Sequence, residues 1–340
     1  MRDDTKVKEE VVVAVIPTES PGFLAPAVAS DILAKKKSKL TLSDLPAAFL
    51  SRFKREVTPL LYEFLGCQQD PWYQCTAKDI VGLWKRVFSG AEGDAIEKET
   101  ALARLVETLV DNRSAEWRNR FAKGAASYLE QSLFPDSLDD ANTAENRAVL
   151  AKWLLQGQYN EHPFYFKVYE ETDGEGGEGD VAVKKEGIFQ SKIISTVLMA
   201  SHLTFLQNIP GDKRSKQFPS GAAVLSILSV KRALTYYLTG KYVVPDRPMG
   251  DFSQSNWGDH KEWQGNREVM VKPTGNVLSL ITQLDGKKKK IVKAAENALP
   301  AKRRKKVTPL ASISADSGDE SEGLPLLDDD NDDDISDDSD

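Results

Sequence analysis

Cysteine, histidine and long apolar runs are all scarce in this 340-residue chain, and each scarcity removes a class of function. The two cysteines, Cys67 and Cys75, are too few for a secreted disulfide scaffold. Seven residues lie between them, wider than the spacing of a zinc knuckle, so two reduced, partly buried thiols are expected. The three histidines are His162, His202 and His260, and none belongs to an H-E-x-x-H pair. His202 falls in an apolar helix and reads as a core residue, while His162 precedes Pro163 and reads as a loop residue. No G-x-S-x-G elbow occurs. Thr239-Gly240-Lys241 ends on Tyr242 and lacks the upstream glycine of a phosphate loop. Gly174 to Asp180 is glycine-rich, but its carboxylates would repel phosphate. No catalytic, cofactor-binding or metal-ligating set emerges, no cofactor is expected, and the chain reads as an interaction protein rather than an enzyme. No segment reaches the ~20 apolar residues of a membrane span. Val11 to Ile16 is short and follows Lys8, Glu9 and Glu10, unlike a secretory leader, so an intracellular protein with no membrane partner is expected.

What is present begins with segregated charge. The formal net charge is −7, yet Asp316 to Asp340 holds 13 acidic and no basic residues, leaving +6 for the rest. Gly286 to Lys306 carries ten Lys/Arg against Glu296 alone, so residues 1–285 sit near −3, ordinary for a solvated globular surface. Apolar residues make up 40% of the chain, enough for a real core. The expected division is a disordered arm over 1–39, a helical domain over 40–284, and a disordered tail over 285–340 that is basic over 286–306 and acidic over 316–340. The arm mixes Pro17, Pro21 and Pro26 with charge and buries too little to offset its ordering entropy, apart from a short docking segment at Val11–Ile16.

Within the domain, apolar periodicity predicts helices almost throughout. Leu45, Phe49, Phe53 and Val57 begin the first, Pro59 breaks it, and Gly66 is its expected stop. Thr76 with Asp79 makes a capping box for a second, whose stripe is Ile80, Leu83, Trp84 and Phe88. Separate helices are expected over about 95–109 and 114–134, the last ending at Pro135, then one from Thr143 to Gly157. Pro163 to Tyr169 reads as a short extended aromatic segment, and 170–180 as a loop. Gly187–Leu206 and Gly221–Leu238 read as two buried helices, the second capped by Ser220, with a last helix near 275–284. The fold class is therefore all-α: a single multi-helix globular domain, or two lobes meeting near Pro163, with disordered N- and C-terminal tails.

The order AVLAKWLLQGQYNEHPFYFK, an acidic glycine-rich gap, GIFQSKIISTVLM, a variable loop, and AAVLSILSVKRALTYYLTGKY resembles an uncharacterised domain family of mushroom-forming fungi. The resemblance covers roughly Leu150 to Trp263 and is carried by the leucines before the aromatic piece, by Gly187 with Phe189, and by Thr239 with Gly240. The link between the two apolar helices is shorter here than in the family. The resemblance implies a helical fold and supplies no activity and no catalytic residues.

The functional signal lies in the tail. Lys287, Lys288, Lys289 and Lys290 are followed, after eleven residues, by Lys302, Arg303, Arg304, Lys305 and Lys306. Two basic clusters at that separation match a bipartite nuclear-import signal, gripped as an extended chain at two points by an import receptor. The same clusters also suit phosphate contact with nucleic acid, or a plain solvated linker. The acidic end can take basic proteins such as histone tails, fold back on the basic clusters, or simply keep the chain soluble. Ser317, followed by Gly318, Asp319 and Glu320, suits an acid-directed kinase, and its phosphate would deepen the acidic field. Lys85 and Arg86 beside Trp84, and Arg113, Arg118, Arg120 and Lys123 around Trp117 and Phe121, read either as a nucleic-acid face or as amphipathic helices with the aromatics in the core. The expected function is a nuclear, non-enzymatic interaction protein. The alternative is a mobile-element-derived DNA-processing enzyme, a degenerate nuclease or transposase-like domain with dispersed carboxylates.

Overall fold

The computed structural model describes residues 22–134, 143–173, 181–264, 267–284 and 286–298. The fold is all-α, with two small antiparallel hairpins added. In chain order it runs α1 (Pro26–Ala34), α2 (Ala47–Arg52), α3 (Thr58–Cys67), α4 (Ala77–Val87), α5 (Gly90–Lys98), α6 (Thr100–Tyr128) and α7 (Ala144–Leu154). The hairpin β1 (Phe166–Asp173) and β2 (Val181–Ile188) follows, then α8 (Lys192–Leu198), α9 (Thr204–Leu206) and α10 (Ser220–Tyr236). The chain continues through α11 (Gln254–Trp257), the hairpin β3 (His260–Gln264) and β4 (Arg267–Val271), α12 (Pro273–Thr282) and α13 (Lys288–Ala298). The buried apolar residues from Leu24 to Ala295 form one connected cluster, not two lobes.

Local rules explain most of these elements. Thr76 caps α4 reciprocally: its Oγ1 accepts from the Asp79 amide at 3.3 Å, and its amide donates to Asp79 Oδ2 at 2.8 Å. Ile80, Leu83, Trp84 and Val87 then share the buried face. Thr143 caps α7 in one direction, its Oγ1 accepting from the Asn146 amide at 3.2 Å. Pro59 does not break the first helical region. A wide π-type turn over Phe53–Val57 absorbs the missing donor and the ring, and the chain stays helical into α3.

Tertiary packing overrides the local signals elsewhere. Helix α6 is one piece of 29 residues where two were expected. No glycine or proline lies between Val110 and Ser114, so Asp111, Asn112 and Ser114 cost only tenths of a kcal/mol each. The stripe Leu102, Leu105, Leu109, Trp117, Phe121 and Ala125 is buried without interruption. Gly66 is not a stop but lies inside α3, and Ser220 is the first residue of α10 and makes no cap bond; Pro219 precedes it. The second strand is not expected from the sequence, which leaves 181–186 unassigned and opens a helix at Gly187. Val181 to Ile188 instead pairs with β1, Phe166 opposite Ile188, because an extended segment needs a partner that only the fold supplies. The β3–β4 hairpin was not anticipated at all.

Helix α10 is the centre. Fourteen of its seventeen residues are buried, as expected of the apolar run Gly221–Leu238. Its two buried serines satisfy themselves within the helix, Ser226 Oγ donating to Ala222 O at 2.8 Å and Ser229 Oγ to Ser226 O at 2.9 Å. Gly221 lets its start reach α3: a Cβ there would stand 2.8 Å from the Gln68 carbonyl oxygen. Two helices, α1 and α13, lie outside residues 40–284. Within the arm, α1 buries Ile32, and Arg104 of α6 donates to the Leu33 and Lys35 carbonyls. Within the tail, α13 lies against α8 with Ile291 and Ala295 buried. Val11–Ile16 lies outside the described residues.

Candidate functional site

Two of the three histidines are buried, and both cysteines are half-buried. His202 is fully buried in the wide turn Met199–Leu203, beside Trp117 at 5.9 Å between rings. Burial first, and the Arg214 charge second, push its pKa down to about 3, so it is a neutral ring at physiological pH. It is the core residue expected, though neither ring nitrogen has a hydrogen-bond partner among the described residues. His162 lies in the loop before Pro163, as expected, and is buried there, with its Nδ1 3.0 Å from the Gln156 carbonyl oxygen. Burial lowers its pKa too. Cys67 and Cys75 are free and half-buried, and burial, with Asp79 next, pushes the Cys75 thiol up to about 12. Among the described residues, no group of three or more His, Cys, Asp or Glu side chains stands close enough to hold a metal ion.

The basic-aromatic pattern resolves as amphipathic helices. Trp84, Trp117 and Phe121 are fully buried. Arg118 donates to the Pro71 and Tyr73 carbonyls, Arg86 to the Lys213 carbonyl, and Lys85 pairs with Glu97. These cations fasten the body to itself. The Thr239-Gly240 pair is also structural. Gly240 has φ +79°, and a Cβ there would stand 1.8 Å from the Ala144 carbonyl oxygen, so only glycine lets the end of α10 pass α7.

Four further lysines gather in one place. A cleft of about 530 Å³ opens between α13, the start of α8 and β1, lined by Lys167, Gln190, Lys192, Ser195, Lys290 and Lys293. Lys290, Lys293 and Asn297 recur at helical spacing along one side of α13, next to the buried Ile291 and Ala295. The turn before α8 brings the opposite wall in. Gly187 (φ +66°) and Phe189 (φ +59°) are both left-handed. Such a φ is strained for phenylalanine, and it is held because the ring is buried 4.9 Å from Tyr165. Ser191 then caps α8, accepting from the Ile194 amide at 3.5 Å. Among the described residues no carboxylate lines the cleft and none of the four lysines forms an ion pair. Ser195 is 3% exposed and its hydroxyl has no partner among the described residues. The wall presents ammonium, amide and hydroxyl donors without an acidic acceptor.

Of the expected import residues, Lys288, Lys289 and Lys290 form the first turn of α13 and Lys287 precedes it, so this cluster is helical rather than extended chain. Lys302, Arg303, Arg304, Lys305, Lys306, Ser317 and the acidic end lie outside the described residues. Lys167, Lys192, Ser195 and Lys293 were not singled out by the sequence. The one available signal was the spacing of Ile291 and Ala295, which makes KKKKIVKAAENA amphipathic. Its charge makes it read as part of a disordered basic tail.

No helix among the described residues is long and apolar enough to cross a membrane. No curated protein and no solved structure matches the chain. Residues 61–263 match the family described as Domain of unknown function (DUF6532), and the chain belongs to it. The match begins well before Leu150 and takes in α3 to α7 as well as the apolar helices.

Proposed function

We propose that this member of the DUF6532 family is a nuclear, non-enzymatic interaction protein that associates with chromatin or nucleic-acid complexes through its charged C-terminal region. The observation that supports it is the segregation of charge: a near-neutral body, ten basic residues over 286–306, then 13 acids to the end. Lys287–Lys290 and Lys302–Lys306 serve an import receptor, and the acidic end takes basic proteins or screens the clusters. Phosphate on Ser317 adds to that screen. The fungal resemblance belongs to the same proposal, supported by Gly187 with Phe189 and Thr239 with Gly240. Import through both clusters has a condition: α13 must leave the body before Lys287–Lys290 can be gripped as extended chain. A fluorescently tagged full chain is expected in the nucleus, and Lys302–Lys306→Ala is expected to return it to the cytoplasm. A cytoplasmic distribution in both forms would remove the proposal.

A further inference from the structure

The charges on α13 run against the preference of an isolated helix. Its first turn holds three lysines and no acid, at the end where the helix dipole is already positive. Lys287 with Lys290, and Lys290 with Lys293, add like-charge repulsion at three-residue spacing. Lys192 and Lys167 then bring two more ammonium groups to the opposite wall of the same cleft. A sequence that breaks a local rule without internal compensation marks a place where the compensation comes from outside. The buried, unpartnered Ser195 hydroxyl points the same way, because an orphaned polar group is costly unless something fills its bond.

We propose that the cleft between α8 and α13 binds a phosphate group, with Lys192, Lys290 and Lys293 supplying charge-assisted contacts and Ser195 Oγ donating a hydrogen bond. A phosphate carries up to two negative charges and several acceptor oxygens in a small volume, which matches cations supplied by two facing helices. The cleft, at about 530 Å³, has room for the molecule that bears it. The site belongs to the folded body, needs neither nuclear import nor the clusters beyond residue 300, and stands independently of the tail reading. Occupancy would also hold α13 in place, since the ligand bridges its lysines to α8.

The test is calorimetric titration of the full chain with pyrophosphate at low salt. One saturable site per chain is expected. Lys192→Gln with Lys293→Gln should weaken it about tenfold or more. Ser195→Ala should weaken it severalfold, Lys293→Arg should keep it, and Lys302–Lys306→Ala should leave it unchanged. The lysine variants sit on exposed positions and leave the core intact, so they decide the matter even if Ser195→Ala fails to fold. No saturable binding to the native chain overturns the proposal. So does binding that survives Lys192→Gln/Lys293→Gln but disappears with Lys302–Lys306→Ala. A short labelled single-stranded oligonucleotide separates the sources of the phosphate. If it displaces pyrophosphate, and the paired lysine variant lowers its salt slope by about 1.4, the phosphate is that of a nucleic acid. If pyrophosphate binds and the oligonucleotide does not compete, the ligand is a small phosphate compound; either result supports the site.

Discussion

Helices α10 and α13 both lie against α8, and they are held there by different means. Fourteen of seventeen residues are buried in α10, and two of eleven in α13. A fully buried Leu or Ile contributes roughly 1.5–3 kcal/mol. Helix α10 therefore draws on many such terms, and α13 on one isoleucine and one alanine. The first cannot leave without unfolding the protein. The second can be displaced or secured by an interaction of a few kcal/mol, the scale on which a ligand or a receptor acts. The comparison teaches that a helix can be well formed and still be conditional, because formation is local while docking depends on the apolar face it offers.

The contrast can be broken from either side. The largest effect should come from the α10 side. Leu225 is fully buried, and Leu225→Ala should cost about 2–5 kcal/mol, read as a lower urea midpoint with an unchanged slope. Next is Gly66→Ala. Alanine for glycine inside a helix ordinarily stabilises by about 1 kcal/mol. Here the new Cβ would stand 2.3 Å from Cε1 of His202, so the sign should reverse to a loss of about 1–3 kcal/mol. His202→Ala in the same chain should remove most of that penalty, a coupling visible in a double-mutant cycle.

His202 also makes the core sensitive to pH. Its pKa is held down near 3 in the folded state against about 6.5 when unfolded, so the unfolded chain binds the extra proton first. The contribution is complete above the unfolded value and is lost as pH falls from about 6.5 toward 3, at a slope approaching 1.4 kcal/mol per pH unit. Urea midpoints between pH 7 and pH 4 should fall less steeply in His202→Met than in the native chain. An identical slope in the two would show that His202 is not held neutral by the core. The smallest global effect belongs to α13. Ile291→Ala should leave the main unfolding transition nearly unmoved while amide exchange over Lys288–Ala298 accelerates strongly. A loss as large as that of Leu225→Ala would erase the distinction between the two helices.

Much of the core was legible in the sequence because its signals are periodic and local. The stripe of α4, the capping box at Thr76 and the apolar run of α10 all read correctly from spacing. The division of α6 did not, since the polar run Asp111–Ser114 is a weak local signal and the buried face across it is a strong tertiary one. Strand β2 was missed because Lys184, Lys185 and Glu186 look like loop until β1 is beside them. At the site, Lys290 was named for its cluster, whereas Lys167, Lys192, Ser195 and Lys293 carry no motif.

The amino-acid order alone settled the helical class, the most buried helix and the separation of charge along the chain, because each depends on composition or on spacing within a few turns. Tertiary structure alone decided that KKKKIVKAAENA docks instead of trailing, that His202 fits only against a glycine, and that lysines more than a hundred positions apart face one cleft. Those outcomes depend on contacts between distant segments, whose geometry no local pattern encodes.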